Sequence, residues 1–208
     1  MANLDKAHTS QSETILNYRQ WHLPWQSELT DSLTALNSAI LPDSNEERKL
    51  ALLKDSIKSI LEYLENNSCC LEETFAPQVE KLTATSINCD TTAMRQALSN
   101  FFSSPQHRLA AYGTLQPGES NYHIVSSIEG TWLKGIIRGS VHQYEGYPRF
   151  EWNEEGAEIS TSILVSETLP QHLDRIDEFE GENYSRILVP VTVDDCTIVC
   201  NVYAAKPA

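Results

Sequence analysis

Glycine is distributed so unevenly that it divides the chain before any motif is considered. None occurs from residue 1 to about residue 104, and all eight lie after His107. Glycine supplies the positive-φ turns that let a chain reverse sharply. The first stretch therefore has few tight turns and no loop able to cradle a phosphate, and it reads as a small helical bundle. The second can reverse often enough to build short strands.

Helical grammar supports the first assignment. Ser44-Asn-Glu-Glu47 has the form of a capping box, with Ser44 as N-cap. Beyond it Leu50, Leu53, Ile57, Ile60, Leu61 and Leu64 recur at three- and four-residue spacing, the mark of one amphipathic helix. Asp90 or Thr91 can cap another, with Met94, Ala97, Leu98, Phe101 and Phe102 on its apolar face. Segments around Thr14–His22 and Leu29–Leu41 also read as helices, punctuated by Pro24 and Pro42. Trp21 and Trp25 are read as core aromatics, and Glu72-Glu73 as a solvated helix start. Nothing in this half names a protein partner; a dimerisation element, a lid and a docking domain all remain open.

After His107 the period changes. Strands are expected over Arg108–Tyr112, Trp132–Tyr144 (as one or two), Ile159–Val165, Ile187–Val193 and Thr197–Tyr203, the last two joined by the turn Asp194-Asp195. Pro170–Phe179 reads as a helix, with Pro170 in its first turn and Gly181 just past its end. The chain is thus read as α+β, a helical domain at 1–104 followed through Ser103-Ser104-Pro105 by a domain at 105–208.

Charge removes whole classes of function. Asp and Glu total 29 against 15 Lys and Arg, a net charge of -14. Such a chain repels phosphate backbones and anionic membrane surfaces, and no basic patch offsets it. No apolar run approaches the roughly 18 residues of a membrane helix. The sequence Met1-Ala-Asn-Leu-Asp-Lys-Ala-His8 lacks a charged-then-apolar leader pattern, and Cys69, Cys70, Cys89, Cys196 and Cys200 are read as reduced thiols, so the expected location is cytoplasmic. Cys196 and Cys200 share a strand face, but no second pair has ligand spacing, and no metal is expected.

Catalytic signatures such as a Gly-x-Ser-x-Gly elbow, His-Glu-x-x-His or a dinucleotide glycine fingerprint are absent from the sequence. Two segments stand out. Tyr112-Gly-Thr-Leu-Gln-Pro-Gly118 follows a strand directly, and its backbone N–H groups can converge into an anion-binding nest. Leu173-Asp-Arg-Ile-Asp-Glu-Phe-Glu-Gly-Glu-Asn-Tyr-Ser-Arg186 is an acidic helix closed by Glu180-Gly181, with Tyr184 and Arg186 on one face of the next strand.

In this order and separation the two segments resemble the gamma-glutamylcyclotransferase-like family, which includes gamma-glutamylamine cyclotransferases and plant avirulence-induced proteins. The matching residues are Tyr112-Gly113-Thr114-Leu115 and Phe179-Glu180-Gly181 with Tyr184-x-Arg186; Gly146-Tyr147-Pro148 is similar to a further family segment. The resemblance spans about Arg108 to Ala204 and implies a mixed β-barrel with a few helices. Where the family carries a glycine and an aromatic residue on the strand before the acidic helix, this chain has Thr161 and Leu164, and a bulkier strand there is expected to narrow the pocket.

The resemblance implies release of 5-oxoproline from a small gamma-glutamyl compound, the α-amine attacking the γ-carbonyl of its own molecule. Nucleophile and electrophile share one chain, so the site mainly holds attack geometry and moves a proton. Glu180 is the candidate acid/base; raising its pKa from about 4.3 to about 6–7 by burial among residues such as Phe179 and Tyr147 costs roughly 3–4 kcal/mol. Gly113, Thr114 and Leu115 are candidates to hold a carboxylate or oxyanion through their amides, and Tyr112, Tyr147 and Tyr184 to bind substrate. Tyr184 is also read as able to orient Glu180, and Arg186 as structural or as a counter-charge. The scheme requires no cofactor. The alternative is a catalytically silent binding or interaction module of the same fold.

Overall fold

The computed structural model describes residues 25–40, 45–67, 76–144, 147–194 and 196–206. Thr14–His22, Trp21, Pro24, Pro42, Ser44, Cys69-Cys70, Glu72-Glu73, Gly146 and Asp195 lie outside them. The described residues form two compact units, one within Leu23–Ser104 and one within Pro105–Ala208.

The first unit holds helices α1 (Ser27–Ile40), α2 (Glu46–Asn66), α3 (Ala76–Asn88) and α4 (Thr91–Phe101), with α2 packed against the other three. The buried face of α2 is Leu53, Ile57, Ile60 and Leu64, with Ser56 and Tyr63; Leu50 and Leu61 sit at its margin. The N-cap of α2 is Asn45 rather than Ser44: its side chain accepts from the Arg48 N–H at 2.7 Å. Asp90 caps α4 by accepting from Thr92 and Ala93. Ser32 and Ser56, both buried, satisfy each other between α1 and α2 at 2.9 Å. Trp25 is half-buried, its indole N–H donating to Thr30 at 2.9 Å. Helix α3, which the sequence did not announce, places Leu82 in the core among Thr, Ser and Glu; so polar a face shows no clear period.

The second unit contains β1 (Arg108–Ala111), β2 (Thr131–Tyr144), β3 (Tyr147–Trp152), β4 (Ala157–Val165), α5 (Leu173–Glu180), β5 (Tyr184–Val193) and β6 (Cys196–Ala205). Strand order is β3-β2-β4-β1-β6-β5, and a further pairing of β2 with β5 joins the ends, so five strands close into a mixed barrel and β3 hangs from β2 as an edge. All pairings are antiparallel except β1 with β6, in register at Leu109↔Asn201.

Alternation along the strands separates two cores. Ala110, Ile163, Val191, Ile198, Cys200 and Val202 point into the barrel, while Leu109, Ala111, Leu164 and Tyr203 point outward onto Leu169, Leu173 and Ile176 of the acidic segment. β1 is therefore buried along its whole length. The expected helix over Pro170–Phe179 divides into a 3-10 turn, Leu169–Gln171, and α5, which begins only at Leu173. β3 escaped sequence reading because it carries Pro148; an edge strand tolerates a proline, having one side free of the ladder.

Gly135 permits the closure. It faces Thr161 of β4, and its neighbour Ile136 faces Thr192 of β5. A Cβ there would stand 2.7 Å from Ile163 Cδ1 and 2.9 Å from the Thr192 carbonyl. Gly135→Ala is expected to destabilise the barrel by about 1–3 kcal/mol, read as loss of amide hydrogen-exchange protection in β4 and β5.

Candidate active site

The buried β1 emerges between the two cores at Tyr112. The Tyr112 hydroxyl reaches the carbonyls of Tyr203 (3.0 Å) and Pro148 (3.3 Å), and Tyr184, at the start of β5, donates to the same Pro148 carbonyl at 3.2 Å. The Phe150 ring lies 5.2 Å from that of Tyr112. Three separate strands thus meet at one proline carbonyl.

Beyond Tyr112 the loop is closed on itself. Gln116 N–H donates to the Gly113 carbonyl at 3.2 Å, and Asn121 donates to Thr114 through both its backbone N–H and its side-chain amide, each at 3.0 Å. The Leu115 side chain anchors the loop in the outer core. Gly113 lies close to Pro148, whose Cγ would be 3.2 Å from an added Cβ. Among the described residues none accepts a hydrogen bond from the N–H groups of Gly113, Thr114 or Leu115, so a bound anion can take them.

On the opposite wall α5 rests on Leu173 and Ile176 and is held to the loop by Arg175, whose guanidinium donates to the Ile124 carbonyl at 2.7 Å. It stops at Gly181, with φ 72° and ψ −169°, a conformation almost confined to glycine. Glu180 is consequently the last helical residue.

Ala110, Ala111, Tyr112, Gly113, Thr114, Leu115, Asn121, Pro148, Phe179, Glu180, Asn183, Tyr184 and Tyr203 enclose a cavity of about 360 Å³. That is small-molecule size, near the lower end for ligand pockets. The structure brings together Glu180, Tyr112, Gly113, Thr114, Leu115 and Tyr184 from the sequence-derived set. The Tyr147 side chain lies outside the described residues. Thr161 and Leu164 do not line the cavity: the buried Thr161 hydroxyl donates to the Ala111 carbonyl at 2.7 Å, and Leu164 belongs to the outer core. Phe179 lines the cavity yet is 41% exposed, so it forms a rim rather than a burying wall.

Burial, and then the negative charge of Asp177, push the Glu180 carboxyl up to about 7. Among the described residues no group hydrogen-bonds that carboxyl. Arg186 does not approach it as a counter-charge: its guanidinium is bound to Asp177 through Nε to Oδ1 (2.9 Å) and Nη2 to Oδ2 (3.1 Å). Burial acts to raise Asp177, but the Arg186 and Tyr203 hydrogen bonds and the Arg186 charge hold it below the ordinary carboxylate range. Burial raises Tyr112 and Tyr203, so both remain protonated donors.

Sequence reasoning missed Asn121, Asn183, Asp177 and Tyr203. The register that would have found Tyr203 follows from the hairpin turn, which sets it opposite Arg186. Among the described residues no group of three or more His, Cys, Asp or Glu is placed to hold a metal, and no helix is long and apolar enough to cross a membrane.

Residues 109–208 match the family model described as gamma-glutamyl cyclotransferase, AIG2-like. Among solved structures, an AIG2-like protein from Mus musculus is similar at 22% identity over 48% of this chain and 76% of that chain, with a TM-score of 0.38. YkqA from Bacillus subtilis is similar at 22% over 48% of this chain and 36% of that one, with a TM-score of 0.39. A protein from Arabidopsis thaliana is similar at 20% over 48% and 68%, with a TM-score of 0.38. A comparison with curated proteins found no match.

An acid whose folded pKa is raised loses stability as pH climbs from its unfolded value, about 4.3, to its folded one. Glu180→Gln is therefore expected to stabilise the protein by on the order of 2–3 kcal/mol at pH 8 and not at pH 4. Thermal unfolding of both proteins across that range checks it, and a gap independent of pH would contradict a raised carboxyl.

Proposed function

Starting from a C-terminal half that carries a gamma-glutamyl cyclotransferase, AIG2-like domain, we propose that the pocket closes the gamma-glutamyl part of a small molecule into 5-oxoproline and releases the attached amine or amino acid. The observation that carries this reading is one cavity with complementary walls. A half-buried carboxyl poised to exchange protons lies on one side, and backbone N–H groups without an internal acceptor lie on the other.

A gamma-glutamyl compound presents an α-ammonium beside an α-carboxylate, with the γ-amide four bonds away. The N–H groups of Gly113, Thr114 and Leu115 hold the carboxylate or the oxyanion that develops on the γ-carbonyl. Glu180, as carboxylate, takes a proton from the α-ammonium, and the freed amine attacks the γ-carbonyl carbon and forms the lactam C–N bond. The tetrahedral centre then collapses, the original amide C–N bond breaks, and the departing nitrogen receives two protons, the one held by Glu180 and the second that the α-nitrogen sheds, and leaves as an ammonium. No water is consumed. A carboxyl near 7 suits both halves of this transfer better than an ordinary glutamate, because general acid–base efficiency peaks when the pKa lies near the working pH. Tyr184 acts on the pocket wall through Pro148 rather than through Glu180.

Incubation with gamma-glutamyl amino acids, gamma-glutamylamines and glutathione, followed by mass spectrometry, is expected to yield 5-oxoproline from wild type, with Glu180→Gln at least ~100-fold slower. The log of kcat/KM is expected to rise with pH and level off near 7, because the carboxylate is the form that accepts the first proton. Binding of 5-oxoproline to both proteins without turnover by either would support a silent binding module instead.

A further inference from the structure

We propose that Asp177, clamped by Arg186 and Tyr203, is a positioning residue that sets the proton affinity of Glu180. The role rests on the reading of Glu180 as the proton carrier, whereas the geometry behind it does not.

Asp177 and Glu180 are three residues apart on α5, a spacing that places Cβ atoms roughly 5–6 Å apart on one face. Asp177 cannot swing away. Both its oxygens are taken by the Arg186 fork, and the Tyr203 hydroxyl donates to Oδ1 at 2.6 Å. Arg186 is fixed in turn, its Nη1 donating to Asn201 Oδ1 at 3.3 Å. Asn201, only 4% exposed, donates to the carbonyls of Pro105 (2.7 Å) and Arg108 (3.1 Å). The carboxylate beside Glu180 is thus anchored to the barrel backbone through a continuous chain of hydrogen bonds.

This arrangement has two electrical consequences. It keeps a full negative charge one helical turn from Glu180, since Asp177 stays ionised well into acid. It also commits the nearby cation to Asp177, so that Arg186 does not stabilise the Glu180 carboxylate. The titratable groups that face Glu180 from other elements are Tyr112 just past β1, Tyr184 on β5 and Tyr203 on β6, while Arg186 of β5 is held on Asp177. The phenols are uncharged at neutral pH, so among side chains the Asp177–Arg186 pair carries the field. The C-terminal end of α5 adds a partial negative charge of the same sign, but it is common to all the variants below.

Carboxyl carbon NMR of the full chain follows the Glu180 titration directly. In Asp177→Asn its midpoint is expected to fall by roughly half a unit or more, since a like charge is lost and the cation is released. In Arg186→Gln it is expected to rise, since the Asp177 charge is uncovered. Opposite signs are something a merely structural role would not produce. The double variant D177N/R186Q replaces the ion pair with an amide pair and is expected to shift the midpoint down; it decides the matter, with Arg186→Gln, where Asp177→Asn fails to fold. An unmoved midpoint, or shifts of one sign in both single variants, overturns the proposal. The acid limb of kcat/KM is expected to move by the same amounts. Shifts as expected with no 5-oxoproline from wild type would leave Asp177 in this role and remove the proposed function, while turnover with an unmoved midpoint would do the reverse.

Discussion

The second unit depends on one closure, the pairing of β2 with β5 at Ile136↔Thr192. An open sheet of this order would leave both terminal strands as edges and expose one face of its apolar alternation. Once the ring closes, each strand has a defined inside and outside, and outward positions such as Leu109, Leu164 and Tyr203 must be covered by something else. The acidic segment provides that cover, which is why α5, the most charged helix of this unit, lies against apolar strands. Its docking face is as narrow as Leu173 and Ile176, which leaves Phe179 and Glu180 at its end to line the cavity.

In so acidic a chain, the proposed binding of an anionic group faces an electrostatic difficulty, which the pocket would answer with dipoles rather than ions. Among the described residues the lining contains no lysine, arginine or histidine, and the nearby guanidinium is occupied by Asp177. Backbone N–H groups carry partial charge without the rotamer freedom or desolvation penalty of a cationic side chain. The loop that presents them is held by Asn121 and Leu115, whose bonds and burial fix its shape.

Much of this was legible in the sequence because it is local. Glycine placement separated the two units, and strand alternation located β1, β2 and β4–β6 to within a few residues. The paired segments drew Glu180 and Tyr112–Leu115 to one candidate site before any coordinates. What stayed hidden was non-local. The closure of β2 onto β5 brings β5 close against Gly135, which looks like any other glycine in a strand. Tyr203 and Asn201 join the site only through register and handedness, and Asn45 displaced Ser44 as a cap by one position, within the usual uncertainty of helix ends. Thr161 looked like an intrusion on the pocket because a family comparison gives position without orientation; its hydroxyl bonds backward to β1.

The Pro148 carbonyl gathers the hydroxyls of Tyr112 and Tyr184, yet it belongs to β3, the strand with a ladder on one side only. Edge strands open at the lowest local cost of any in a sheet. The pocket is therefore bounded on one side by closed barrel and helix and on another by the edge strand. Two phenolic bonds act as a latch between the rigid part and the yielding part. Because Pro148 itself lines the cavity, any displacement of β3 reaches the cavity directly through these two bonds.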